Sequence, residues 1–383
     1  MYFLTAEKIN IERSFMNKAR SQNIALFLPS LLGGGAERVI VTLANGIADK
    51  GIKVDLILAN AEGPYLSEVS SKIRVVDLKT KRVLFSLFSL VKYLKQEHPT
   101  VLLSSLEHAN IIALWAKWLS GEKTKCVIRI PNTTSIDAQY SNNLIGKFLP
   151  WFLKLFYWLA DSIVVVSKYS AQDLITFLGI PPSKVCVIYN PVINDELFRK
   201  SVIELHHPWF NDGTIPVILG VGRLSRQKDF PTLIRAFALL RKNRFVRLMI
   251  LGEGEDRKYL EGLISELGIQ EDVSLPGFVE NPFPYIRRAS VFALSSRWEG
   301  LPNALIQALA LGTPSVATDC PGGVAEILEG NKLGVLVPVG DERKIADALR
   351  ISIDSKRLSV DIGIARFNSE AIINQYFYLI KSL

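Results

Sequence analysis

From Asn23 onward the chain alternates short, almost wholly apolar runs with longer stretches whose apolar residues recur every three or four positions. In the first half the short runs are Ile24–Pro29, Lys53–Ala59, Val101–Leu106, Cys126–Ile130, Ser162–Val166 and Val185–Ile188. They are rich in β-branched residues, the pattern of strands buried on both faces of a parallel sheet. The periodic stretches between them, Ala36–Asp49, Ser86–Gln96, Asn110–Leu119, Leu144–Ala160 and Ala171–Leu178, predict helices. Alternation of this kind builds a doubly wound α/β domain.

The alternation stops at Asn190–Pro191. A polar stretch without clear period runs to Pro216 and holds His206, His207, Pro208 and Asp212–Gly213. It reads as an inter-domain link and a lead-in loop. No acidic or Cys partner is spaced around the two histidines, so they predict an exposed loop rather than a metal site. A second α/β series follows, with strands at Val217–Val221, Arg247–Leu251, Val273–Leu275, Val291–Leu294, Ser315–Thr318 and Gly334–Val337. Its helical patterns are Pro231–Lys242, Glu255–Leu267, Pro302–Leu311, Val324–Leu328 and Glu342–Ile351, and Ala365–Leu383 reads as one or two closing helices. The predicted division is two α/β domains, residues 1–190 and 191–365. Residues 366–383 form a closing helix, for which packing back on the first domain is one arrangement.

Composition narrows the class. The 383 residues suffice for two such domains, and 49% hydrophobic with 21% charged residues is globular usage. Cys126, Cys186 and Cys320 are far apart and odd in number, which argues against a disulfide framework or zinc site and fits a reducing cytosol. The residues before Asn23 mix Glu7, Lys8, Glu12 and Arg13 with apolar ones, unlike a signal peptide, and Met16 is an alternative start. The formal net charge of +8 is one-sided: residues 1–190 hold 22 Lys and Arg against 14 Asp and Glu, and the remainder is neutral. A solvated basic surface and a face for anionic lipid or an anionic acceptor fit this equally.

Four segments at strand-to-helix turns carry candidate chemistry, because open parallel sheets bind ligands beyond the carboxyl ends of their strands. Gly33, Gly34 and Gly35, followed by Ala36, Glu37 and Arg38, let backbone approach a ligand at a helix N-terminus; a tight structural turn explains them as well. The segment is neither GxGxxG nor a P-loop. Gly220-Val221-Gly222-Arg223 leads to Lys228 across a loop, so a bidentate cation and a point cation could meet on one polyanion. In Arg297-Trp298-Glu299-Gly300-Leu301-Pro302-Asn303-Ala304-Leu305-Ile306-Gln307, Pro302 suits a first helical turn, and the N–H groups of Asn303, Ala304 and Leu305 would then face a phosphate. Glu299 beside such a site makes sense as an acceptor of hydrogen bonds from sugar hydroxyls, or as an acid on the helix dipole. Pro276-Gly277-Phe278-Val279 could cradle a planar base or be an ordinary turn.

With these residues in view, the second half resembles the donor domain of glycosyltransferase family 4. The likeness lies in the Gly222-Arg223-Leu224 to Gln227-Lys228 loop, Leu251-Gly252-Glu253-Gly254 through Leu260, the Gly277-Phe278-Val279 turn and Ser296-x-x-Glu299-Gly-Leu-Pro-Asn-x-Leu-Ile-x-Ala308. Gly312-Thr313-Pro314, Asp319-Cys320-Pro321-Gly322-Gly323-Val324-Ala325-Glu326-Ile327 and the opening Gly-Gly-Gly-Ala-Glu-Arg are similar too. The resemblance covers most of the chain, most densely 216–340. It implies a GT-B fold, two Rossmann-like doubly wound domains facing across a cleft. It also implies a retaining, metal-independent hexosyltransferase whose nucleotide sugar is a substrate, with no cofactor and no nucleic-acid partner. In the family, residues matching Arg223 and Lys228 hold the donor diphosphate, those matching Phe278 and Val279 contact the base, and that matching Glu299 contacts the transferred sugar. The helix start at Asn303–Leu305 contacts phosphate, Gly222, Gly252, Gly254, Gly300, Leu301 and Pro302 line the donor, and Gly33–Gly35, Glu37 and Arg129 belong to the acceptor side.

Two departures stand out. The family's second glutamate is replaced by Gln307, whose neutral amide accepts ribose hydrogen bonds less strongly, so weaker donor binding or altered nucleotide preference is expected. Pro131, in Arg129-Ile130-Pro131-Asn132, stands near the turn where many relatives carry a sugar-contacting His; His108 is one replacement, or merely a helix-start residue. The expected acceptor is a glycan or polyprenyl-linked saccharide of surface polysaccharide, lipopolysaccharide or O-antigen assembly. The expected place is the cytoplasm, with peripheral contact at the inner face of an anionic membrane. Lys81–Lys95, with Phe85, Phe88 and Tyr93, and Leu144–Ala160, with Lys147, Lys154, Trp151, Phe156 and Trp158, are the segments that suit such contact; core helices explain them too. Other readings are a non-catalytic sugar-nucleotide binder, a GT-B sugar epimerase and a disaccharide synthase. A dinucleotide-dependent hydride-transfer enzyme is disfavoured, since neither half has GxGxxG with an acid about 20 residues on.

Overall fold

The computed structural model of the chain describes residues 23–32, 34–140, 153–211, 215–357 and 362–383. Gly33, Lys147 and Trp151 lie outside these, as do residues 144–152 of the expected Leu144–Ala160 helix. The described residues form two compact units, one of those between 23 and 166 with 171–191 and 370–383, the other of 167–170 with those between 192 and 369.

The first unit is built on an all-parallel sheet of β1 (Asn23–Leu28), β2 (Lys53–Leu58), β3 (Arg74–Asp77), β4 (Val101–Ser105), β5 (Lys125–Ile130), β6 (Ser162–Val165) and β7 (Val185–Val187). Its order is β3-β2-β1-β4-β5-β6-β7, so the winding reverses between β1 and β4. Successive strand residues face opposite layers. Ile24, Leu26 and Leu28 point into a core shared with helix Gly35–Asp49 and with Ile372, Ile373, Tyr376 and Ile380 of helix Ser369–Ser382. Ala25 and Phe27 point into the other core, under helices Leu87–Glu97 and Glu107–Ser120.

The sequence pattern missed β3, an edge strand with exposed Arg74 and Asp77. Its anchor is ionic. Asp55 of β2, fully buried, accepts from Arg74 Nε at 2.9 Å and Nη2 at 2.5 Å, and from the Tyr93 hydroxyl at 2.5 Å. Burial by itself would raise the Asp55 pKa; hydrogen bonds from Arg74 and Tyr93 outweigh it and hold it below the usual carboxylate range.

The second unit carries another all-parallel sheet: β8 (Val217–Val221), β9 (Arg247–Leu251), β10 (Val273–Gly277), β11 (Val291–Leu294), β12 (Ser315–Thr318) and β13 (Val335–Val337). The order β10-β9-β8-β11-β12-β13 places its reversal between β8 and β11. Helices Phe230–Arg241 and Glu342–Ser352 cover one face.

The stretch 190–216 is more ordered than its lack of period predicts. Helix Asp195–Ser201 starts at Asn194, whose side chain accepts from Leu197 N–H, with acids in its first turn and Arg199 and Lys200 in its last. His207 is not an exposed loop residue: its ring packs edge-on against Trp209, Phe210 and Tyr285, and burial lowers its pKa. Among the described residues no helix is long and apolar enough to cross a membrane.

Candidate active site

In the second unit the candidate residues gather beyond the carboxyl ends of β8 and β11, the reversal point where a doubly wound sheet opens a crevice. The two strand exits are laced together by backbone. Arg297 N–H donates to Gln227 O at 2.8 Å, Gln227 Nε2 donates to Trp298 O at 3.0 Å, and the Ser295 hydroxyl donates to Lys228 O at 2.7 Å. Asp229, nearly buried with φ at 49°, pairs with Arg297 across the same gap at 3.1 Å.

This lacing sets Lys228 against Glu299. Lys228 Nζ lies 2.5 Å from Glu299 Oε1, and the buried Ser296 hydroxyl donates to the same oxygen at 2.6 Å. Glu299 is 5% exposed, and its N–H donates to Pro321 O at 2.9 Å. Thr318 Oγ1 in turn donates to Ser296 O at 2.5 Å. Lys228 and Glu299, expected on one ligand, are thus partners of each other here. Arg223 is exposed and makes no ion pair among the described residues. The Cys320 thiol beneath is pushed up to about 12 by burial and by the charge of Glu299, so it stays neutral at ordinary pH.

Glycine is required where backbones cross the site. Gly252 has φ at 145°, and a Cβ there would lie 1.9 Å from Gly222 O. Its N–H donates to Gly277 O at 2.8 Å while Gly222 N–H donates to Leu251 O at 3.0 Å, so the loops after β8, β9 and β10 lie flat against one another. At Gly322, with φ 126°, a Cβ would lie 2.1 Å from Glu299 O. The ends of β9 and β10 carry Gly254 and the half-exposed Phe278, with Val279 beside it.

The helix Asn303–Ala310 differs in detail from expectation. Pro302 occupies its N-cap rather than its first turn, with φ −73° and ψ 103°. Leu305 N–H donates to Pro302 O at 3.2 Å, so that donor is engaged within the turn instead of facing outward. Asn303 and Ala304 remain at the helix start, half-buried, and Leu301 is buried beneath. Gln307 is half-buried, and its side-chain amide makes no hydrogen bond among the described residues.

The first unit holds the acceptor-side candidates. Glu37 folds back over Gly34, its carboxylate where a Gly34 Cβ would sit, and Gly35 opens helix Gly35–Asp49. Arg129 is fully buried at the end of β5. Its Nη1 donates to Ser105 Oγ at 3.1 Å and its Nη2 to Asn190 Oδ1 at 2.6 Å, while its Nε is buried without a partner. Burial lowers its pKa. Sequence reasoning missed Glu107. It begins a helix just after Leu106, whose φ of 80° is unusual for a bulky residue. Burial, then the nearby Asp137, raises its carboxyl to about 7. The neighbouring His108 is lowered by burial. The strained junction of strand and helix was not visible in the apolar pattern.

Known proteins bear on this arrangement. The family model described as Glycosyltransferase Family 4 matches residues 33–196, and that described as Glycosyl transferases group 1 matches 215–354. The N-acetylgalactosamine-N,N'-diacetylbacillosaminyl-diphospho-undecaprenol 4-alpha-N-acetylgalactosaminyltransferase of Campylobacter jejuni is 33% identical over 347 residues, covering 88% of this chain and 92% of its own. The lipopolysaccharide core biosynthesis glycosyltransferase LpsE of Rhizobium meliloti is 26% identical over 91% of this chain and 96% of its own. Among solved structures, sucrose-phosphate synthase from Thermosynechococcus elongatus superposes with a TM-score of 0.79 at 21% identity, over 94% of this chain and 98% of that one. Anabaena HepE in complex with UDP-glucose gives 0.77 at 20%, over 94% and 100%. The fold is GT-B, and the chain belongs to glycosyltransferase family 4.

Proposed function

We propose that this family 4 glycosyltransferase moves a hexosyl or N-acetylhexosaminyl group from a UDP- or GDP-linked sugar, with retention and without a metal. The acceptor is a polyprenyl-linked saccharide in surface-polysaccharide assembly, met at a membrane surface. The observation that carries the reading is the Lys228–Glu299–Ser296 cluster at the β8/β11 reversal, with exposed Arg223 beside it. The donor diphosphate competes with Glu299 for Lys228 and takes Arg223 as a bidentate partner, so the two cations stabilise the departing nucleoside diphosphate. Glu299, held by Ser296, then accepts from hydroxyls of the transferred sugar. The acceptor oxygen bonds to the anomeric carbon on the face from which the diphosphate oxygen leaves, and the acceptor proton passes to that oxygen. The acceptor class is supported by the Campylobacter relative, named for a diphospho-undecaprenol-linked substrate.

The test is nucleoside diphosphate release from single UDP-, GDP- and ADP-linked sugars, with and without a bacterial lipid extract and EDTA. Lipid-dependent, EDTA-resistant release is expected. Loss of release in EDTA would overturn the metal-free mechanism. Donor binding without release from any donor would favour a non-catalytic binder, the reading that Gln307 in place of the family's glutamate suggests; Gln307→Glu would then be the variant to assay.

A further inference from the structure

Between Asp77 and Glu97 the chain carries Lys79, Lys81, Arg82, Lys92 and Lys95 and no acidic residue. The inner side of helix Leu87–Glu97 is occupied, with Leu90, Tyr93 and Leu94 buried in the core. The outer side is not: Leu84 is exposed, Phe85 is 63% and Phe88 78% exposed, and Lys92 and Lys95 continue the same stripe at helical spacing. Three adjacent large apolar tips ringed by uncompensated cations are unusual on a surface that meets only water.

We propose that this face, the turn Val83–Ser86 with the outer side of helix Leu87–Glu97, docks on an anionic membrane surface. Leu84, Phe85 and Phe88 enter the interface, and Lys81, Arg82, Lys92 and Lys95 meet lipid headgroups. The proposal rests on the reading that the acceptor is lipid-linked, and it names the surface that reading requires. Charge selects the occupant: a second copy would press like-charged stripes together, whereas an anionic bilayer satisfies both tips and cations. Position agrees. The turn follows β3 and so lies at the carboxyl edge of the first sheet, the edge that also bears Gly34, Glu107 and Arg129.

The experiment is co-sedimentation of the full chain with phosphatidylcholine vesicles, with and without phosphatidylglycerol. Wild type binds the anionic vesicles, and salt weakens it. Phe85→Ser with Phe88→Ser weakens binding about tenfold or more. Lys92→Gln with Lys95→Gln, the second variant should the first not fold, weakens it by roughly fivefold per cation. Trp118→Ser, which alters an exposed tip on the neighbouring helix Glu107–Ser120, outside the proposed face, leaves binding near wild type. The proposal fails if wild type ignores anionic vesicles, if the double variants bind like wild type, or if Trp118→Ser is the variant that loses binding. It also fails if the Phe variants instead dissolve a dimer. Sedimentation needs no turnover, so an inactive enzyme would refute the proposed reaction without touching this result.

Discussion

The ion pair between Lys228 and Glu299 can be measured by a double-mutant cycle. Lys228→Met keeps most of the stem and removes the charge, leaving the 5%-exposed Glu299 carboxylate without its cation. Breaking a fully buried pair costs about 3–5 kcal/mol; the Lys228 side chain is 17% exposed, so water offsets part of that and about 2–3 kcal/mol is expected. In a unit of about 180 residues this lowers Tm by roughly 4–12 °C. Glu299→Gln keeps the shape and can still accept from Ser296, so it costs about 1 kcal/mol. In the Lys228→Met background the same change removes a stranded charge, so the double variant should be more stable than additivity predicts by about 1–2 kcal/mol. Urea unfolding followed by tryptophan fluorescence reads all four corners, and costs that add within about 0.5 kcal/mol would refute the coupling. Titration calorimetry with UDP and GDP separates the roles. Lys228→Met loses about ten- to a hundredfold in affinity for the preferred nucleotide, whereas Glu299→Gln keeps or gains affinity and loses turnover.

Three further outcomes follow from the geometry. Asp55→Ala leaves the Tyr93 hydroxyl without its buried acceptor and returns half-exposed Arg74 to water and Glu97, and should destabilise the first unit by about 1–2 kcal/mol in urea. Because the folded pKa of Asp55 is depressed, its contribution is present above the unfolded value near 4 and fades as pH falls through the folded one, so the variant's deficit should shrink in acid. Glu107 has the opposite sign: with its folded pKa raised to about 7, stability falls as pH rises from the ordinary carboxyl value of 4.5 toward 7, and Glu107→Gln should flatten that slope in pH-dependent melts. Gly252→Ala places a methyl where Gly222 O already lies, so soluble protein with normal UDP or GDP affinity would contradict the described packing.

Elements buried on both sides were the legible ones. Val217–Val221, Arg247–Leu251, Val291–Leu294 and Ser315–Thr318 match the apolar runs residue for residue, because in a doubly wound sheet burial and strand length coincide. What escaped was held by specific polar contacts rather than by apolar period: β3 by Asp55 and Arg74, and helix Asp195–Ser201 by its Asn194 cap. Helix Phe283–Arg288 was too short for a period to register. The donor-side residues were legible as motifs at strand ends. That Lys228 would turn to Glu299, and that Arg129 would be wholly buried against Asn190, depends on contacts between residues 71 and 61 positions apart, which no local pattern encodes.

The first unit takes its final helix from the far end of the chain. The core that opens with Ile24 is closed by Ile372, Ile373, Tyr376 and Ile380. On the ribosome, therefore, the order of completion is inverted: the second unit is wholly synthesised before the first has its last wall. At about 5–20 residues per second, the roughly 180 intervening residues hold that core open for about 10–40 s. During this interval the surface at Gly46, against which Ile373 later packs, lacks its native cover. A released chain truncated before residue 370 should therefore be protease-sensitive in its first unit and resistant in its second.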